Sequence, residues 1–343
     1  MTKTTKIRTQ TKQQRAHNKS FSLCLRVVFL SACFLFAQQP KADVNTQDKP
    51  RNDIENYKYC LEQNWIDNAY CYLNYGIDST ANSVNNLFKV NDIYDINNTA
   101  TTKGRLRFGW EPRSRDWAES DFRFRIRAKF PAFEDRVELL FSDEEDDVNG
   151  QNVKAARNRE LGANDQAVVA LQFKKEESDN MRYRIGFGRG SQLYTRARYS
   201  DVYHLSDGVD FFYFAETNYY SRDKLGFELN GELGVELTNN SAFEINNSFN
   251  FRDKTDDWFW RHEFQYIYLA KNETSYLFTA MIDGLSKPSY RTEQMLVSFR
   301  YKRQVLRDWL FLEVEPFLLW LREEDFRTSV GIAIRAEIHF STN

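Results

Sequence analysis

Ten cations recur at alternate positions of four short segments. They are Arg105 and Arg107, then Arg123, Arg125, Arg127 and Lys129, then Arg182 and Arg184, then Arg196 and Arg198. Glutamates take over later in the chain, at Glu216, Glu228, Glu232, Glu244, Glu263, Glu313, Glu315 and Glu337. Guanidinium and carboxylate groups gathered on one face can steer a charged solute, or they can pair and fill the space between them. Catalysis asks for more, namely a nucleophile with a base and an orienting group within reach. Beyond residue 42 the only histidines are His204, His262 and His339, and no recognisable Ser or Asp motif accompanies them. Parity and position put His204 in a turn, His262 on an apolar-facing position and His339 near a rim. No enzyme activity is expected, and an outer-membrane hydrolase is the weakest of three readings. The acidic run Asp143–Asp147 lacks the spacing of a calcium loop, so neither a metal nor a cofactor is expected.

The elements that must position these charges follow from period. Residues Phe122–Phe130 read F-R-F-R-I-R-A-K-F. A strand sends alternate side chains to opposite faces, so one face is apolar and the other fully basic. The pattern recurs at 104–111, 136–141, 167–174, 181–189, 193–201, 209–219, 225–237, 243–251, 258–269, 276–283, 291–301, 309–321 and 328–340. That predicts an all-β, antiparallel transmembrane barrel of about fourteen strands, twelve being the alternative count, with its apolar face toward lipid. The mean hydropathy of −0.66 is compatible with this, because only alternate residues need be apolar. Placed inward, the early cations form a basic wall (Arg105, Arg107, Arg123, Arg125, Arg127, Lys129, Arg182, Arg184, Arg196, Arg198). The later glutamates form an acidic wall (Glu228, Glu232, Glu244, Glu263, Glu313, Glu315, Glu337). Closure brings Glu337 near Arg105 or Arg107. Trp110, Trp117, Tyr219, Tyr220, Trp258, Trp260, Trp309 and Trp320 are expected at the membrane interfaces.

The chain divides into three parts. Residues 1–42 begin with a basic stretch and continue through an apolar run at Phe21–Ala37, the form of an export signal. Leu30-Ser31-Ala32-Cys33 offers the alternative of lipoprotein processing at Cys33. These 42 residues hold eight of the 47 basic residues and none of the 49 acidic ones, leaving 39 against 49, a net charge of −10. An acidic exported chain is a poor partner for nucleic acid. Residues 43–102 form a periplasmic segment with short helices expected at 54–61 and at 79–88, the latter capped by Ser79. This segment would close the barrel mouth or meet a partner. Cys60 and Cys71, an even pair in an oxidising compartment, are expected to form a disulfide. The barrel is assigned to 103–343.

The last strand carries Val330, Ile332, Ile334, Ala336, Ile338 and Phe340 on one face, and resembles the assembly signal of outer-membrane proteins. Together with GRLRFGWEPRSRDW (104–117), FRFRIRAKFPAFEDRVELLFSDEEDD (122–147) and the stretch 307–340, the chain resembles an uncharacterised family of bacterial outer-membrane β-barrel proteins, porin-like in build. The resemblance implies fold and a Gram-negative outer-membrane location, and carries no activity. The partners it suggests are membrane lipid and lipopolysaccharide, the barrel-assembly machinery through the strand ending at Phe340, and a small solute. A charged lumen then reads as a channel for small polar or anionic solutes. The alternative is a docking or structural barrel whose charges pair and plug it.

Overall fold

A computed structural model describes residues 64–87, 100–143, 153–156 and 168–341, apart from 118, 131–135, 177–178, 189 and 272, with the side chains of 83–87 left aside. Fourteen strands close into a single antiparallel barrel. They are β1 (Thr101–Trp110), β2 (Ser120–Lys129), β3 (Val137–Ser142), β4 (Val168–Phe173), β5 (Met181–Gly188), β6 (Gln192–Ser206) and β7 (Val209–Tyr220), followed by β8 (Lys224–Thr238), β9 (Ser241–Arg252), β10 (Asp257–Ala270), β11 (Thr274–Leu285), β12 (Arg291–Gln304), β13 (Leu310–Leu321) and β14 (Ser329–Ser341). Each strand pairs with its sequence neighbour, and β1 pairs with β14 in the register Arg105↔His339 and Arg107↔Glu337.

Closure follows from the solvent. Hydrocarbon offers no partner to an open strand edge, so a spanning sheet must satisfy every ladder internally. The outward faces are what lipid requires. Phe108, Phe122, Val169, Leu171, Ile185, Phe187, Phe227, Leu229, Phe264, Phe278, Phe299 and Ile334 are all exposed large apolar residues of one parity per strand. Trp110, Trp258 and Trp320 stand outward near one end of the strands, and Tyr268, Tyr276 and Tyr301 near the other. Tyr220 departs from its expected place: it points inward, fully buried, stacked on Tyr194. Trp260 faces outward but is covered by Tyr290. Both chain ends of the barrel lie at one end, where the turns at 207–208 and 239–240 are tight. Long connections, 111–119 and 143–167, leave the opposite end. This is the arrangement of a bacterial outer-membrane barrel with its N-terminal side in the periplasm.

The helical expectation needs correcting. The segment 54–61 lies outside the described residues. Of the segment 79–88, residue 88 lies outside the described residues, and residues 79–87 are the tail of one longer helix, α1 (Trp65–Leu87), in which Ser79 is interior rather than a cap. Gly76 does not break it, because the helix is held from outside itself. Arg307 donates to both carboxylate oxygens of Asp67, at 2.7 Å each, and Tyr70 stacks on Trp309 with ring centres 4.2 Å apart. Farther along, Ala81 packs with Ala100, Ala128 and Phe130 against Val137 and Leu139. The Ala100 amide donates to Asn82 Oδ1. Ala128 shares its face with Phe122, and Leu139 with Phe141, so the Ala81 end of α1 lies against the outward side of the periplasmic rim, while its Asp67–Tyr70 end rests on the β12–β13 turn. Cys71 of α1 is disulfide-bonded, while Cys60 lies outside the described residues. The barrel ladder begins at Thr101, two residues before the expected boundary.

The Asp67–Arg307 contact makes the docking of α1 sensitive to acid. Hydrogen bonds from Arg307 hold the Asp67 carboxyl below the usual aspartate range. A carboxyl whose folded value is depressed contributes stability that is present at neutral pH and lost as pH falls through the lowered value. The near-ultraviolet circular dichroism of the stacked Tyr70–Trp309 pair should stay constant on acidification until below the ordinary aspartate range, then collapse. Asp67→Asn should remove that step, and an unchanged acid step in this variant would assign it to other groups.

Candidate functional site

The lumen is built by the parity opposite to the lipid-facing one. Its central feature is Arg335 on β14, fully buried. Arg335 Nε donates to Glu111 Oε1 at 2.7 Å, and Nη1 contacts both Glu313 and Glu315. Arg300 on β12 donates through Nε and Nη2 to Glu315, at 2.9 and 3.2 Å. Arg107 on β1 reaches Glu313 at 2.8 Å. Four adjacent strands are thus tied by three guanidiniums and three carboxylates, almost all out of solvent. Charges so placed must be paired, because an isolated buried charge is costly.

Pairing elsewhere is also between near neighbours. Glu216 lies 3.0 Å from the Arg196 guanidinium and accepts from Arg198 at 2.6 Å, and Arg123 pairs with Asp121 at 3.0 Å. Arg127 lies 3.5 Å from Glu138, and Arg184 donates to Gln172. Lys302 donates to Glu337 at 2.7 Å, and His339 contacts the same carboxylate. The expected division into a basic early wall and an acidic late wall is therefore revised. Cations of the late strands, Arg261, Arg300, Lys302 and Arg335, face inward among the glutamates. Arg335 already lay on the inward parity of the last strand but was not counted with a basic wall. Closure sets β14 beside β1 with Glu337 opposite Arg107 in register, as expected, and β13 one strand farther on, so Glu313 also reaches Arg107 from the same side of the ring.

An opposition of charge survives in the periplasmic half. A cavity of about 510 Å³ is lined on one side by Arg105, Arg107, Arg300 and Lys302, with Glu313 and Glu337 among them. Its other side carries Glu232, Glu244 and Glu263 with Asn246 and Gln265. In a ring of fourteen strands β1 stands opposite β8, so the acids of β8, β9 and β10 face the cations of β1 and its neighbours. Asn246 donates to Glu232 and Gln265 to Glu263. Among the described residues Glu232, Glu244 and Glu263 have no cation within ion-pair distance. Ile267, Leu269 and Leu277 give the cavity an apolar ledge. Arg123, Arg125, Arg127, Lys129, Arg182, Arg184, Arg196, Arg198, Glu228 and Glu315 lie outside this cavity's lining.

The extracellular half differs. The polar stretch after β3 is not wholly an outer loop, because a short 3-10 turn within it, Lys154–Ala156, enters the barrel. Val153 and Ala156 are fully buried against the inward residues Met281, Leu296, Phe317, Leu319, Leu321 and Ala333. The Lys154 amide donates to Glu111 Oε2 at 2.5 Å, and Gln294 donates to Ala156 O at 2.6 Å. Gln294 also donates to Asp283, which pairs with the fully buried Arg261. Across the lumen, Leu140, Val168, Ala170, Tyr194 and Tyr220 form a second apolar patch. Sequence reading missed both, since two small apolar residues in a polar loop carry no period.

The three histidines beyond residue 42 stand on different strands, β6, β10 and β14. His204 is at the end of β6 rather than in a turn, exposed, and bonded to Asp210 at 2.6 Å. His262 faces outward and contacts Asn247, and among the described residues no group of His, Cys, Asp and Glu could hold a metal. Most of the acidic run, 144–147, lies outside the described residues.

No family model matches the chain, and no curated protein matches it. Solved structures do. The chain is similar to the outer membrane channel DcaP of Acinetobacter baumannii at 8% identity and a TM-score of 0.42, over 70% of this chain and 96% of that one. It is similar to outer-membrane expressed OmpT of Vibrio cholerae at 9% identity and 0.43, over 72% and 99%. It is also similar to the KdgM porin in complex with disordered oligogalacturonate at 6% identity and 0.35, over 69% and 99%.

The ion network predicts a sharp asymmetry between variants. Arg335→Met strands Glu111, Glu313 and Glu315 without their shared cation, and should cost about 3–5 kcal/mol in urea unfolding of the refolded barrel. Adding Glu111→Gln to the same chain leaves Arg107 and Arg300 balanced by Glu313 and Glu315, and should recover a large part of that loss.

Proposed function

We propose that this barrel is a porin-like channel for small polar solutes, with preference for dipolar ones bearing an anionic and a cationic group. The periplasmic-half cavity supports the reading, because its two walls carry opposite charge across a space of about 510 Å³. A field across a water-filled lumen orients a solute whose own charges are separated. The anionic end would turn toward Arg105, Arg107 and Lys302, and the cationic end toward Glu232, Glu244 and Glu263. The inserted turn at Lys154–Ala156 would set the narrowest section, since it occupies the extracellular lumen.

A second reading draws on the dense lateral pairing around Arg335 and on that same inserted turn. Under it the barrel is closed and structural. Planar-bilayer recording separates the two. The channel reading expects discrete conductance steps in the refolded protein, and larger steps when Val153→Asp unseats the turn from its apolar bed. Glu244→Gln with Glu263→Gln should move the reversal potential toward anion preference, and Arg105→Glu should move it toward cations. Absence of conductance in both the natural chain and the Val153→Asp variant would leave only the closed barrel.

A further inference from the structure

We infer that α1 and the β12–β13 turn form a membrane-interface contact, in which Trp65 and Leu306 enter the headgroup region of the periplasmic leaflet. Trp65 and Leu306 are the most exposed large apolar residues of the described chain, at 79% and 80%. The bidentate Asp67–Arg307 pair holds the start of α1 at the β12–β13 turn: Trp65 lies two residues before Asp67, on the helix face turned away from that contact, and Leu306 immediately precedes Arg307. Leu306 sits in the β12–β13 turn with a left-handed backbone, φ 60°.

What covers these side chains is fixed by where α1 rests. Ala81 sits on Ala128 and Phe130, and its cluster touches Val137 and Leu139, which continue the lipid-facing column of β2 and β3. The β14–β1 seam beneath is equally close-fitted: Gly104 faces Phe340, whose ring would meet any added side chain. A helix laid on the outer wall of a barrel at its rim has lipid headgroups on its far side. Its composition suits that depth. It carries Trp65, Tyr70, Tyr72 and Tyr75, ring types that favour the interface, and its only charged residues are Asp67 and Asp78.

The local wall adds a second reason. β3 and β4 have six residues each, roughly 20 Å along the strand, against an apolar band of about 25 Å. The C-terminal half of α1 adds apolar cover at the periplasmic end of β3. Because the helix has no Lys or Arg, its attachment comes from the barrel and from apolar burial. Anionic lipid is not required.

The test uses the full chain refolded into vesicles of phosphatidylethanolamine and phosphatidylglycerol. A fraction of the lipid is brominated either near the headgroup or near the chain end. Subtracting the emission of Trp65→Phe from that of the natural chain isolates Trp65. Its emission should be blue-shifted, quenched roughly twofold more by the shallow bromines than by the deep ones, and insensitive to the phosphatidylglycerol fraction. Leu306→Asp should return it toward the emission of an aqueous tryptophan while the barrel stays folded by gel mobility. A water-like Trp65 that neither bromine position quenches would overturn the contact and leave this patch to a protein partner. Quenching that appears only with phosphatidylglycerol would also overturn it, since attachment would then be electrostatic.

Discussion

The pairing of β1 with β14 is the constraint from which the rest of this molecule follows. A sheet in hydrocarbon cannot keep an edge. Once the edge is closed, strands distant in sequence become neighbours. The closure sets Arg107 beside Glu337 and within 2.8 Å of Glu313, across more than two hundred residues of chain. It also gives Arg335 its neighbours. Glu111, just after β1, approaches a cation of the last strand only because the ring is shut. The lumen's ion network is therefore a product of topology, and the network in turn ties four strands at the seam where the sheet would otherwise open.

That arrangement divides the interior. Around the seam, the charges are paired sideways and buried, and they behave as structure. On β8 and β10, Glu232 and Glu263 have amides for company. A carboxylate hydrogen-bonded to an amide remains an anion facing the cavity, whereas one shared between guanidiniums is neutralised where it stands. Two glutamates of identical parity thus have different meanings, set by whether an arginine stands on the adjacent strand. The extracellular half replaces charge with an apolar bed on which Val153 and Ala156 rest.

The fold was legible because each strand carries its own signal. Alternation is local, so all fourteen strands could be placed, with ends that differ by a few residues from those observed, as where β6 runs on to Ser206. The lumen was legible only as parity. That Arg123 and Glu263 face inward can be read from their neighbours. That Arg107 takes Glu313, and that Glu263 lacks a cation among the described residues, depends on register and ring position, which no single segment encodes. The inserted turn and the docking of α1 were illegible for another reason. Val153, Ala156 and Ala81 are small, and they matter through the surfaces they meet. Ser79 looked like a cap because the contacts that carry the helix past it are on other strands.

The uneven wall connects these observations. β6 to β14 have twelve to fifteen residues, enough to cross the apolar band at an ordinary tilt, while β3 and β4 have six. A short wall leaves a mismatch that lipid would meet by thinning. Here the chain supplies cover for the short strands. At the periplasmic end, Ala81 and the residues around it extend the apolar surface of Val137 and Leu139. Within the connection that follows β3, residues 153–156 are seated inside the barrel through Gln294 and Glu111. The inserted turn needs a long connection, and a long connection between short strands gives it room to reach across. The short strands are therefore where the barrel gives up wall to gain a luminal insert, and α1 lies over the part of the outer surface that this exchange leaves thin.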